Sequence, residues 1–166
     1  MVKYQNTMAI PKKVINFLEK SKSKYELIKH RTVYTAFDKA ATLRVKPKII
    51  GKMLIVRLDK NPALILIPAD KNLDKQKLKK LAKIKNIDFI KEAWMKKNLK
   101  GIKIGAVPPF GNLWGLRTFL DRGLTQNPEI IINSGDYNFS IKISPAVLKK
   151  ITPDLIIGNF TQPRSR

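Results

Sequence analysis

Four stretches of this chain hold the residue types that chemistry at an ester or amide needs. Lys52 follows Gly51 and opens the apolar run "MLIVRL", which sets its ammonium at the start of a strand whose neighbours are buried. "GAVPPFG", Gly105 to Gly111, combines glycine N–H groups with a shape fixed by Pro108 and Pro109, suited to binding a carbonyl or ester oxygen. In "NSGD", Asn133 to Asp136, Gly135 permits a positive φ and close approach of the backbone to a ligand. His30, the only histidine, ends the run "YELIKH" and is a candidate base. Each has a plainer counterpart: a solvated lysine, a tight turn, a hairpin turn and a structural histidine. From the residues alone both readings stay open.

What is missing narrows the chemistry. A single histidine and no cysteine give no basis for a zinc site of the usual types, and they exclude cysteine nucleophiles and disulfides. No GxSxG elbow, Walker loop or GxGxxG occurs. Carboxylates paired for glycoside chemistry would have to be picked from scattered acids. An enzyme made from this chain is expected to work by positioning and backbone donors, with no metal and no cofactor.

Charge points to the partner. Thirty-four Lys and Arg against twelve acids give a net charge of +22, a field that attracts polyanions. Eleven lysines fall between Lys75 and Lys103, against Asp88 and Glu92. From these, Lys79, Lys80, Lys83, Lys96, Lys97 and Lys100 are the candidate nucleic-acid contacts, with Trp94 or Trp114 available for base stacking or core packing. No run approaches the ~20 apolar residues of a membrane span, and the N-terminus has no h-region. A cytoplasmic protein with no membrane partner is expected.

The elements that must position these residues can be read from periodicity. Residues 1–24 form an N-terminal helical segment in which Ile10, Val14, Phe17 and Leu18 recur at helical spacing and Pro11 suits a first turn. "YELIKHR" is a short strand, and "TAFDKAATLR" a helix capped by Thr35 with Ala40, Ala41 and Leu43 inward. "KMLIVRL" and "ALILIPA" are strands joined at "DKNP". "LDKQKLKKLAKI" and "DFIKEAWMKK" read as helices. "IKIGAV", "GLRTFLD", "EIIIN" and "FSIKIS" read as strands, "PAVLKKI" as a final helix, and "TQPRSR" as a fraying end. Without a regular βαβ repeat, the fold class is α+β (mixed α/β): a single domain with a mixed, mostly antiparallel sheet or partly closed barrel flanked by helices. The main body spans 25–152, with a C-terminal tail at 153–166.

The order His30, "TAFDKAATLRV", "IIGKMLIV", "GIKIGAVPPFG", "FLD", "IIINSGDYNFSIKISPAVL" resembles the YbaK/ProX-like aminoacyl-tRNA editing domain over about residues 25 to 150. That family usually shows Ala-Ala-x-x-Leu-Gly at a helix end, Lys-Thr-Leu on the next strand, a Gly-x-x-x-Pro loop and a later Asn-x-Gly. The lysine falls on Lys52, the loop on Gly105 and Pro109, the late pair on Asn133 and Gly135, and the acid of the central strand on Asp121. Arg44 stands in place of the common Gly, Met53 in place of Thr, Lys100 in place of a Thr, and Ala106 and Pro108 in place of a second Gly and a Ser.

The resemblance implies hydrolysis of the ester joining a wrong amino acid to the 3′ end of a tRNA. It implies Cys-, Ala- or Ser-type charging of a non-cognate tRNA such as tRNA-Pro. Lys52, Gly105 and Pro109 would then be catalytic, with N–H groups of the loop and near Gly135 binding the ester carbonyl. His30, Ala106, Val107, Pro108, Phe110, Gly111, Asp121, Asn133, Ser134 and Gly135 would bind substrate. Lys79, Lys80, Lys83, Lys96, Lys97 and Lys100 would meet the acceptor stem, and an aminoacyl-tRNA synthetase would be a further partner. The rivals are a non-catalytic tRNA- or RNA-binding module of the translation machinery and a small structural protein of a ribonucleoprotein particle.

Overall fold

The structure, a computed structural model, describes residues 9–164. The first eight residues of the expected N-terminal segment and the last two of the tail lie outside them. Apolar patterning organises the rest. Helix α1 (Lys12–Ser21) buries Val14 and Leu18, and its Phe17 ring meets Phe110 at 4.9 Å. The segment is therefore part of the main core, with Ile10, Leu66, Leu120, Ile130, Ile132, Ile141 and Ile143.

Strand β1 (Glu26–Lys29) pairs with β8 (Phe139–Ile143), which pairs antiparallel with β7 (Ile130–Asn133). A second sheet has five strands in the order β5-β2-β3-β6-β9, namely Ile87–Phe89, Gly51–Leu58, Asn61–Pro68, Arg117–Asp121 and Ile156–Gly158. Its first two pairings are antiparallel and its last two parallel. A two-stranded ribbon joins β4 (Lys71–Leu73) to β10 (Thr161–Pro163). A parallel bridge from Ile50 to Ile131 sets the edge of β2 beside β7, so the two larger sheets meet there. The domain is mixed α+β, and its sheets do not close into a barrel.

Three stretches differ from the sequence reading. Residues 156–163 do not fray: β9 extends the central sheet, β10 covers β4, and Phe160 is wholly buried. "DFIKEAWMKK" divides, because Val56 to Leu58 recruit Ile87–Phe89 as an edge strand before α4 (Glu92–Asn98) begins. "IKIGAV" is a loop. Gly101 and Gly105 take positive φ values of 84° and 86°, and Lys103 N–H donates to Gly135 O rather than to a ladder.

Helix α2 (Ala36–Leu43) is capped by Thr35, whose Oγ1 accepts from Asp38 N at 3.1 Å. Its inner stripe is one residue away from the expected one: Lys39 and Ala40 are buried and Ala41 is exposed. It ends at Arg44 with φ 55° and ψ 45°, the left-handed conformation that favours glycine. Arg44→Gly is expected to stabilise the fold by about 0.5–1 kcal/mol, read as a rise in the thermal midpoint. The remaining helices are α3 (Lys75–Ala82), α5 (Arg122–Thr125) and α6 (Pro145–Ile151).

Candidate active site

A cavity of about 250 Å³ opens where α2, the start of β2, the loop around Gly105 and the end of β7 converge. Its polar lining is Thr35, Lys39, Lys52, Asn133, Asp136, Tyr34 and Tyr137; Gly51, Met53, Leu54, Gly105 and Ala106 supply much of the rest. The volume lies below that of cavities for drug-sized ligands and suits a small end group.

Lys39 dominates the electrostatics. It is 6% exposed, and its Nζ donates to Asn133 Oδ1 at 2.7 Å. Burial alone lowers its pKa from the ordinary lysine value to about 8. Asn133 in turn donates through Nδ2 to Val107 O at 3.2 Å and Gly105 O at 3.4 Å, which fixes the amide with its oxygen toward the lysine. Lys39, Asn133 and the loop thus form one buried polar chain.

The loop is clamped from outside by Gly135, whose N–H donates to Ala106 O at 2.7 Å. That N–H is therefore engaged within the fold. Ala106 N–H is likewise engaged with Lys103 O, and Pro108 and Pro109 carry none. Among the described residues no acceptor is found for the N–H of Gly105, a residue of the cavity wall. Gly135 sits at φ 102°, where an added Cβ would also strike the Pro11 ring.

Of the sequence-selected residues, Lys52, Gly105, Ala106 and Asn133 line the cavity. Lys52 points its Nζ to Lys71 O at 2.8 Å, at one end of the cavity. Burial and the Arg164 charge lower its pKa, with Asp70 opposing. Val107 faces a neighbouring apolar cleft with Met53, Leu54, Phe89, Ile90 and Met95. Pro108 and Pro109 are buried behind the loop. Phe110 belongs to the main core, and a Cβ on Gly111 would overlap Leu116 O and Thr118 Oγ1. Ser134 donates to Phe139 O at 2.6 Å inside the hairpin.

Two residues sit apart from the cavity for clear reasons. Asp121 accepts from Phe160 N and Gly123 N, both at 3.0 Å, and from Thr161 Oγ1 at 3.2 Å, so it ties the end of β6 to α5 and the C-terminal strands. His30 contacts Ser140 Oγ through Nε2 at 2.9 Å and Arg31 O through Nδ1 at 2.8 Å. Burial holds its pKa below the ordinary histidine value, the Arg31 carbonyl opposes this, and the Lys39 charge lowers it further.

The sequence reading missed Lys39, Asp136, Tyr34 and Tyr137. Lys39 was legible in principle, since Ala36, Ala40 and Leu43 share a helical stripe on which position 39 lies. Asp136, 4% exposed, is the one acid in the cavity lining, and its Oδ2 accepts from Asn138 N. Tyr34 and Tyr137 meet edge to face at 4.8 Å at the rim, and Tyr34 is 66% exposed.

Of the basic residues, Lys80, Lys83, Lys96, Lys97 and Lys100 are exposed and Lys79 is half-buried. Lys96 and Lys97 ride on α4, whose Glu92 and Met95 border the apolar cleft. Lys79 and Lys80 lie on α3, which packs by Leu78 against a different cluster around Val56 and Phe160. Trp94 and Trp114 pack half-buried against the cluster of Leu64 and Val107. Among the described residues there is no group of three metal-ligating side chains and no helix long and apolar enough to cross a membrane.

Comparison with known proteins defines the class. The family model of the aminoacyl-tRNA editing domain matches residues 30–151, and the chain belongs to that family. Among solved structures, the hypothetical protein APE2540 superposes with a TM-score of 0.81 at 22% identity, covering 91% of this chain and all of the other. A candidate trans-editing enzyme for prolyl-tRNA synthetase gives 0.79 at 22% identity, covering 90% of this chain and 95% of that one. At these identities the likeness is one of fold. No curated protein gives a significant match.

Proposed function

We propose that this protein is a trans-acting deacylase that hydrolyses the ester of a mischarged tRNA, in the cytoplasm, as part of translation quality control. The observation that carries this reading is the presence of both charge signs in the lining of one small cavity: Lys39, held by Asn133, and the buried Asp136, whose Oδ1 lies 3.9 Å from Lys103 Nζ. An aminoacyl ester has the complementary ends, a cationic α-ammonium and a carbonyl oxygen that becomes negative.

In this reading Asp136 receives the ammonium, while Lys39 Nζ and Gly105 N–H donate to the carbonyl oxygen. Water adds to the carbonyl carbon, the π electrons move to the oxygen, and those donors stabilise the resulting oxyanion. Collapse expels the ribose oxygen, which takes up the proton released by the water. The products are a free amino acid and an intact tRNA. Lys52 contributes charge at the end of the cavity and no bond to the reacting carbon. The cavity's size favours small amino acids, and the candidate trans-editing enzyme of similar fold makes Cys-, Ala- or Ser-tRNA-Pro the first substrates to try. The basic surface supports tRNA as partner, with a synthetase nearby as a second.

Incubation with a panel of mischarged tRNAs tests the proposal. Release of one or more small amino acids at rates well above the uncatalysed reaction is expected. Salt-sensitive tRNA binding with no release from any substrate would instead support the non-catalytic RNA-binding module. Asp136→Asn is expected to raise KM about tenfold for esters with a free α-amine. The same substitution should leave N-acetylated esters unaffected, and equal losses on both would remove Asp136 from the ammonium site.

A further inference from the structure

At one end of the five-stranded sheet, β5 (Ile87–Phe89) pairs with β2 and, among the described residues, has no strand on its outer side. Its bonds to β2 run through alternate positions: Asp59 N–H donates to Asn86 O at 2.9 Å, and Ile90 N–H donates to Ile55 O at 3.2 Å. In an antiparallel ladder the residues between such positions turn their main-chain groups the other way. The N–H and C=O of Ile87 and Phe89 therefore face outward, and among the described residues they have no partner. Edges of this kind are commonly blunted by proline, a bulge or a covering element. Here Asp88 and Phe89 are exposed and the strand holds no proline.

The same strand borders an apolar cleft. Phe89 is 57% exposed and forms one wall of a space of about 220 Å³, with Ile55, Met95 and Val107 among the others and Glu92 as its one charged lining residue. The surroundings are basic. Lys75 Nζ stands 5.2 Å from the centre of the Phe89 ring, and Lys85 and Lys91 flank the strand in sequence. All three are exposed, and none forms a salt bridge among the described residues. Asp88, the strand's own acid, alternates to the face opposite Phe89. Two copies of the chain meeting at this edge would crowd these lysines together, each copy carrying a net charge of +22. A nucleic acid would use the lysines and the ring, but neither the outward carbonyls nor the cleft. An acidic polypeptide in extended form uses all four.

We infer that β5 and the cleft beside Phe89 form a docking edge for an extended acidic segment of a partner protein. The segment adds a strand to the sheet at Ile87 and Phe89, lays an apolar side chain against Phe89 and over the cleft, and sets Asp or Glu opposite Lys75, Lys85 and Lys91. Main-chain bonds supply the affinity, while the cleft and the lysines supply the selectivity. The cleft shares Met53, Leu54 and Gly105 with the aminoacyl cavity, so the docked segment lies next to the Gly105 loop without entering the polar site. The edge, the ring and the lysines carry this inference independently of the deacylase reading.

The test uses the full-length protein labelled with ¹⁵N and a short synthetic peptide in which Glu alternates with Val and Phe. Saturable shifts and slowed hydrogen exchange at the amides of Ile87 and Phe89 are expected. Two further peptides, N-methylated at odd or at even residues, read the pairing directly: one should lose binding and the other keep it, because only alternate residues face β5. Replacing Glu by Lys in the peptide should weaken binding at least about tenfold. Phe89→Ser and Lys75→Glu should each weaken the acidic peptide about tenfold, with the thermal midpoint and the deacylation rate unchanged. No shift at Ile87 and Phe89, or unaltered affinity in Phe89→Ser, would overturn the docking edge. Both N-methylated peptides binding like the parent would overturn strand addition. A single-stranded RNA oligonucleotide that shifts these amides where the peptide does not would replace the inference with a nucleic-acid surface. Protection of the same amides that is lost on dilution, with no peptide present, would replace it with a contact between two copies.

Discussion

Lys39→Met is expected to lower the rate constant for deacylation about 10²–10³-fold, the usual cost of removing one donor to a developing oxyanion. The same substitution should make the protein more stable at neutral pH. Lys39 is an ammonium buried with one acceptor, Asn133 Oδ1, and burial is the cause of its lowered pKa. The fall from 10.5 to about 8 corresponds to roughly 3 kcal/mol of strain on the charged form. Because Asn133 Oδ1 loses its donor, a net gain of about 1–2 kcal/mol is the expected result. Activity and stability moving in opposite directions would mark a group retained for chemistry.

The pH dependence follows with a definite sign. Folded Lys39 releases its proton near pH 8 and unfolded Lys39 near 10.5, so between those values the unfolded chain binds more protons. The Lys39 contribution therefore rises with pH across this window, and below pH 8 the full cost of burying the charge is present. Subtracting the Lys39→Met curve from the parent curve isolates this contribution from other titrating lysines. For catalysis the sign is reversed: kcat/KM, corrected for spontaneous hydrolysis, should fall with an apparent pKa of about 8. A flat profile from pH 7 to 9 would remove Lys39 from the chemical step.

The second large effect belongs to Asn133. Asn133→Ala removes the acceptor of Lys39 Nζ and the donor to the carbonyls of Val107 and Gly105 in one step. A buried ammonium left without a partner, with two loop carbonyls released, should cost about 2–4 kcal/mol in denaturant unfolding. Lys39→Met combined with Asn133→Ala should cost less than Asn133→Ala alone, since the orphaned charge is gone. Strict additivity would show that the two residues do not act as a unit. Asn133→Ala should also lose most deacylation, because Lys39 and the Gly105 loop lose their common support.

Much of this was legible in the sequence. Alternating and helical apolar runs with turn residues between them gave the strands of the central hairpin, the capped helix at Thr35 and the "EIIIN" and "FSIKIS" pair. They did so because each is set by local patterning and short-range contacts. The ordered motifs around Lys52, Gly105 and Asn133 meet at one cavity, since the fold fixes which strand ends converge.

Other features were outside the reach of local pattern. Phe110, Gly111 and Asp121 look like site residues in a linear motif, yet the first fills the core, the second allows a close backbone approach, and the third ties strand ends together. The tail looked frayed because a three-residue strand has no signal of its own; it exists because β4 offers an edge to pair with. By itself, the sequence determined the α+β class, the basic surface and the order of the loops. Only the tertiary structure decided which lysine is buried beside Asn133 and which guanidinium stacks on the Phe37 ring. Burial and charge proximity are properties of the packed chain, and they turn one lysine among many into a group with a pKa near 8.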